Sequence, residues 1–188
     1  MIADEVYRVV NRQLSRLSSL PENSRKAMLA NLRRGVGRIP GDVPELWGIF
    51  LQDMPLELQS KNGTPTSGEW AVYLALTLYA LHQQSQHADM NMPDVSLGSA
   101  VRRLAEGEPE GSPSFRRFQK LLTASSIQEI AHYLRSMIQL LRDKAIPLDY
   151  PRLAKELYLL QFAGTAPQIR LLWGQDYYHN PEKEVSDN

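Results

Sequence analysis

Apolar residues recur at helical spacing along most of the chain. Ile2, Val6, Val9, Val10, Leu14 and Leu17 form one stripe and predict a helix over residues 3–18. Ser-Leu-Pro-Glu-Asn-Ser ends it. Pro21 and Glu22 suit the first turn of a second helix, which runs to about Arg34 on Met28, Leu29 and Leu32, with Gly35 as C-cap. After the turn Ile-Pro-Gly-Asp-Val-Pro-Glu, a short helix is expected to bury Leu46, Trp47, Phe50 and Leu51. Residues 53–68 read as loop. Glu69 to Gln86 is apolar nearly all round, through Trp70, Tyr73, Leu74, Leu78 and Leu81, the pattern of a central buried helix.

The second half repeats the style with shorter pieces. Leu97, Val101 and Leu104 mark one helix; Phe115, Phe118 and Leu122 mark the next; an acidic Gly/Pro-rich elbow, residues 106–113, joins them. Ser126 and Glu129 have capping-box spacing, opening a helix on Ile127, Ile130, Leu134, Ile138 and Leu141. Asp149 and Pro151 start another, over Arg152 to Phe162. A last helix, Gln168 to Tyr178, turns Ile169, Leu172 and Trp173 inward. No stretch alternates with period two, and no repeat of fixed length occurs. The pattern predicts an all-α fold: a compact bundle of about eight to ten helices in two small lobes, 1–91 and 92–180, with a disordered tail over 181–188.

Charge changes the picture through its distribution. The formal net charge is zero, yet Arg8 to Arg38 holds eight Lys or Arg and one acid, Glu22, while Asp176 to Asn188 holds four acids and one lysine. A neutral total can therefore conceal a basic stripe, the electrostatic footprint of an anion binder. Arg8, Arg12 and Arg16 stack at i, i+4, i+8 and gain from an external anion. Arg33, Arg34 and Arg38 surround Gly35 and Gly37, which let the backbone approach a ligand. Arg102-Arg103 and Arg116-Arg117, with Lys120, are placed outward from their apolar stripes. Guanidinium forks match phosphate oxygens and stack on bases. Solvated helix faces are the competing reading for each of these.

Catalytic chemistry is not visible. Absence of cysteine removes disulfides, thiolate zinc sites and thiol nucleophiles. His82, His87, His132 and His179 lack metal-ligand spacing and read as surface or capping residues. Gly35-Val-Gly37 follows a helix rather than a strand and lacks a correctly placed third glycine, so it is no dinucleotide fingerprint. Glu106, Glu108 and Glu110 read as solubilising. Neither a signal peptide nor a bilayer-spanning run is present in the sequence, which predicts a cytoplasmic protein without membrane association. No metal, cofactor or catalytic residue is expected.

Three blocks, taken in order, resemble the small subunit of the type I-E CRISPR Cascade, the CasB family. Residues 25–47 (RKAMLANLRRGVGRIPGDVPELW) resemble its basic N-terminal block. Residues 96–104 (SLGSAVRRL) resemble its Leu-Gly-x-Ala-x-Arg-Arg-Leu element. Phe-Arg-Arg-Phe-Gln-Lys-Leu-Leu, Leu-Arg-Ser-Met-Ile-Gln-Leu-Leu-Arg and Pro-Leu-Asp-Tyr-Pro-Arg-Leu-Ala-Lys-Glu-Leu resemble its C-terminal half. The resemblance implies a non-catalytic, all-helical subunit, paired in the complex beside other Cascade subunits. Such a subunit contacts the guide RNA and target DNA backbone and steadies the displaced single strand. Carried over by residue, those contacts fall on Arg33, Arg34, Arg38, Arg102, Arg103, Arg116, Arg117 and Lys120, and also on Arg25, Arg135 and Arg142. Base pairing reads the sequence in such complexes, so the protein needs only charge and shape. A helical adaptor for acidic protein partners and a motif-poor hydrolase are the alternatives.

Overall fold

A computed structural model describes residues 1–105 and 110–179. Glu106, Glu108 and the rest of the elbow to Pro109, like the tail from Asn180, lie outside the described residues. The all-α expectation holds. Among the described residues there are nine α-helices, two short 3₁₀ turns and no strand. One isolated parallel bridge joins Asn91 to Leu148.

The centre is α4 (Ser67–His82), in which every residue from Gly68 to His82 is buried. It starts two residues before the expected Glu69 because Thr66 caps it. The Thr66 hydroxyl accepts from Glu69 N at 3.0 Å, and the Glu69 carboxylate accepts from Thr66 N at 2.8 Å. Three helices reached from either side of Asn91 pack on α4: α2 (Glu22–Arg34), α7 (Ile127–Asp143) and α8 (Tyr150–Leu159). The N-terminal α1 (Ile2–Ser19) lies along α8 and also touches α4. Between α2 and α4 comes the short α3 (Trp47–Phe50).

The remaining helices form a second group. Here α5 (Leu97–Leu104) crosses α9 (Ala166–Tyr178), and α6 (Pro113–Thr123) lies on α7. Gly98 makes the α5–α9 crossing possible, since a Cβ there would sit 2.1 Å from the Trp173 carbonyl oxygen. A buried carboxylate ties α8 to α9. Glu156 accepts from Trp173 Nε1 at 2.6 Å and from Arg152 Nε at 2.8 Å, and Arg152 also reaches Asp176 at 2.7 Å. One apolar cluster runs through the whole, from Val6 to Tyr177.

Several expectations are corrected. Trp47 is 49% exposed, because Leu46 and Phe50 take the inward positions of that turn. Ile2 and Leu172 also face outward. His82 is fully buried, its Nδ1 2.9 Å from the Tyr150 hydroxyl. Gly35 does cap α2, but with right-handed φ of −77°. Its role is contact: a Cβ there would lie 2.6 Å from both Leu46 Cδ1 and the Tyr73 hydroxyl. It is buried against α4 and therefore not open to a ligand. Glu129 caps Ser125 N rather than closing a reciprocal box on Ser126.

Candidate nucleic-acid interface

The cations divide by what answers them. On α1, Arg8 pairs with Glu5, Arg16 pairs with Asp53 at 2.5 Å, and Arg12 donates to the Asp53 carbonyl at 3.4 Å. The row expected to want an external anion has found internal acceptors. Lys26 pairs with Glu22, Lys155 with Asp4, and Arg142 with Asp143 at 3.2 Å. The other cations carried over by resemblance are different. Among the described residues, Arg25, Arg33, Arg34, Arg38, Arg102, Arg103, Arg116, Arg117, Lys120 and Arg135 meet no carboxylate at ion-pair distance.

Five of the predicted residues border a groove. It is a groove in two separate clefts that share α4 as a wall, the helix on which both α2 and α7 pack. Toward the C-terminal end of α4, a wide cleft of about 980 Å³ is lined by Arg25, Lys26 and Arg33 from α2, and by Tyr79, Gln83, Gln84 and His87. Glu22 and Asp89 also line it, and Asp89 accepts from the Tyr79 hydroxyl at 3.0 Å. Arg142 reaches this end, its Nη1 3.5 Å from Gln84 Oε1. Further up α4, a smaller cleft of about 250 Å³ brings Arg38 together with Arg135 and His132. The turn after α2 permits this approach. Gly37 has φ of +79°, and a Cβ there would lie 3.2 Å from Arg135 Nη1. The Tyr73 hydroxyl anchors the same turn by donating to the Gly35 carbonyl at 3.0 Å; burial raises its pKa to about 12 and keeps it a donor. Arg34 is exposed and lines neither cleft.

The second set sits on α5 and α6. Arg103, Arg116, Arg117 and Lys120 are exposed. Arg102 departs from the expected outward placement. It is half-buried, with its guanidinium carbon 5.9 Å from the centre of the Tyr177 ring. Phe115 stacks on the same ring at 5.1 Å, and Phe118 lies 5.6 Å from it. Tyr177 of α9 thus joins the two arginine-bearing helices. Ser112 fixes the start of α6 by accepting from Phe115 N at 3.1 Å.

Gln128 and His132, on the exposed face of α7, both line the smaller cleft beside Arg135, although His132 reads from the sequence only as a surface or capping residue. The absence of acid from that helical stripe was the available signal. His87, which also reads as a surface or capping residue, and Lys26 line the wider cleft. Among the described residues no group of three His, Cys, Asp or Glu could hold a metal ion, and no helix is long and apolar enough to cross a membrane.

Residues 28–178 match the family model for the CRISPR-associated protein Cse2. The structure resembles CasB from Thermobifida fusca, with 34% identity, a TM-score of 0.74, and coverage of 95% of this chain and 98% of that one. It also shares the fold of a Cse2-family CRISPR-associated protein from Thermus thermophilus, with 24% identity, a TM-score of 0.68, and coverage of 92% and 97%. Comparison with curated proteins finds no match. The arginine blocks of the sequence, the helical architecture and these likenesses agree: the chain belongs to the Cse2 (CasB) family of CRISPR-associated proteins.

Proposed function

We propose that the protein is the non-catalytic small subunit of a type I-E Cascade complex. In this reading it works in the cytoplasm, beside other Cascade subunits and a second copy of itself. It holds the backbone of guide RNA and target DNA and steadies the displaced strand of the R-loop. The observation that carries this is the set of cations on the α2–α7 groove and on α5 and α6 that meet no carboxylate among the described residues. Elsewhere the chain closes its arginines internally. A surface meant only for solvent has no need of that separation, whereas phosphate oxygens supply the missing charge. Displaced single strand is matched by a basic groove with aromatic or apolar surface in its floor. The uncharged outer side of α9, with exposed Leu171 and Leu172, fits the protein contacts that membership of a complex requires.

The test is a quadruple replacement of Arg102, Arg103, Arg116 and Arg117 by Ala in the assembled complex. Its log–log salt slope of target binding becomes shallower by up to about 3.6, at about 0.9 per duplex phosphate contact. The loss is nearly equal for different targets, because phosphates carry no sequence information. An unchanged slope with assembly intact would assign these arginines to solvent or to protein partners.

A further inference from the structure

The smaller cleft differs in chemistry from the rest of the groove. Its floor is apolar: Trp70, Leu74 and Leu78 of α4 are buried, and Ala131 of α7 is half-buried. Its rim is polar and exposed, with Arg38 on one wall and Gln128, His132 and Arg135 on the other. Among the described residues no carboxylate lines it, in contrast to the wider cleft with Glu22 and Asp89. At about 250 Å³ it lies just below the roughly 300–1,000 Å³ of pockets that take whole drug-sized ligands.

An occupant must therefore be small, apolar on its faces and anionic at its attachment. A nucleotide has that make-up. Its base presents two apolar faces and a polar edge, and phosphates flank it on both sides. An apolar side chain from a protein partner would fill the floor but would leave two guanidiniums unanswered at the mouth. We infer that this cleft holds a single unstacked base of the displaced strand, with the flanking phosphates on Arg38 and Arg135. The base lies on the Trp70–Leu74–Leu78 floor, and Gln128 and His132 offer donors and acceptors to its edge. Because every base has an apolar face, such a site registers the strand without selecting a sequence. The inference rests on the reading of the chain as a backbone binder and adds a contact to the bases.

The test uses the assembled complex with the full chain and two bubble targets. In one the displaced strand is oligothymidine; in the other it is an abasic strand of equal length. The thymidine strand is held at least about fivefold more tightly, the lower end for one stacked base. Ala131→Phe, which fills the cleft, abolishes that preference. A second measurement needs no variant: 5-iododeoxyuridine in the displaced strand, on irradiation, crosslinks to Trp70 or His132. Equal retention of both strands by the unaltered complex would overturn the inference, as would crosslinks confined to other surfaces. So would a cleft found crosslinked to another subunit. If Arg38→Ala and Arg135→Ala still flatten the salt slope in that case, only the base contact falls. If they do not, the backbone-binding reading of this groove falls with it.

Discussion

Helices α1 and α2 carry similar numbers of arginines and put them to different use. On α1, Arg8, Arg12 and Arg16 are answered by Glu5 and by the side chain and carbonyl of Asp53. On α2 and the turn after it, Arg25, Arg33 and Arg38 face clefts and meet no carboxylate among the described residues. The difference is not in the arginines. It lies in where distant acids fall once the chain is folded, and Asp53 is 37 residues from Arg16. A row of cations is therefore weak grounds for a binding surface until its internal partners are known. Exposed pairs of the α1 kind contribute little to stability, but they do remove charge from the surface.

The groove depends on α4 as its shared wall, and α4 ends at His82. That side chain is fully buried, with its Nδ1 2.9 Å from the Tyr150 hydroxyl. Burial pushes its pKa down from 6.5 to about 4. In the unfolded chain it titrates near its ordinary value, so between those two pH values the unfolded state binds more protons. Its contribution is complete above pH 6.5 and is lost as the pH falls toward 4, up to about 3 kcal/mol. Urea unfolding at pH 7, 5.5 and 4 should show this loss in the native chain and a smaller one in His82→Leu. Identical pH dependence in the two would mean that His82 does not govern that wall.

The α5–α6 surface is held by the α5–α9 crossing, where Gly98 meets the Trp173 carbonyl. Gly98→Ala should cost about 1–3 kcal/mol in denaturant unfolding, as overpacking does. Gly48→Ala, where an added Cβ meets nothing within 4 Å, should stay within about 0.5 kcal/mol. Equal effects would dissolve the steric argument. A smaller effect separates α1 from the groove: Asp53→Ala removes the carboxylate partner of Arg16 and should change stability by less than about 1 kcal/mol. A loss well beyond that would make the α1 pairs part of the fold rather than a neutralised surface.

The helices were legible because period-3.6 stripes survive folding, and α4 stood out through its nearly continuous apolar run. What failed was local and had physical causes. Trp47 and Leu172 are apolar residues on helices with more than one apolar side, so periodicity could not choose between them. His82 looked polar from the sequence, yet its ring is buried against Tyr150, which in turn meets Tyr79. The α2 and α7 blocks could be identified by residue type and by family resemblance. Their meeting across α4 could not, because Arg38 and Arg135 belong to elements that pack on a common helix without adjacent sequence. The same limit hid the Asp53 partnership and the Arg152–Asp176 bridge.

The most direct test compares two triple variants in one assembled complex by salt titration of target-DNA binding. One replaces Arg33, Arg38 and Arg135 by Ala, and the other replaces Arg8, Arg12 and Arg16. The groove variant should flatten the log–log slope by up to about 2.7 if its contacts are to duplex phosphates, or about 2.1 if they are to single strand. The α1 variant should leave the slope where it was. A slope that moves with the α1 variant and not with the groove variant would contradict the account.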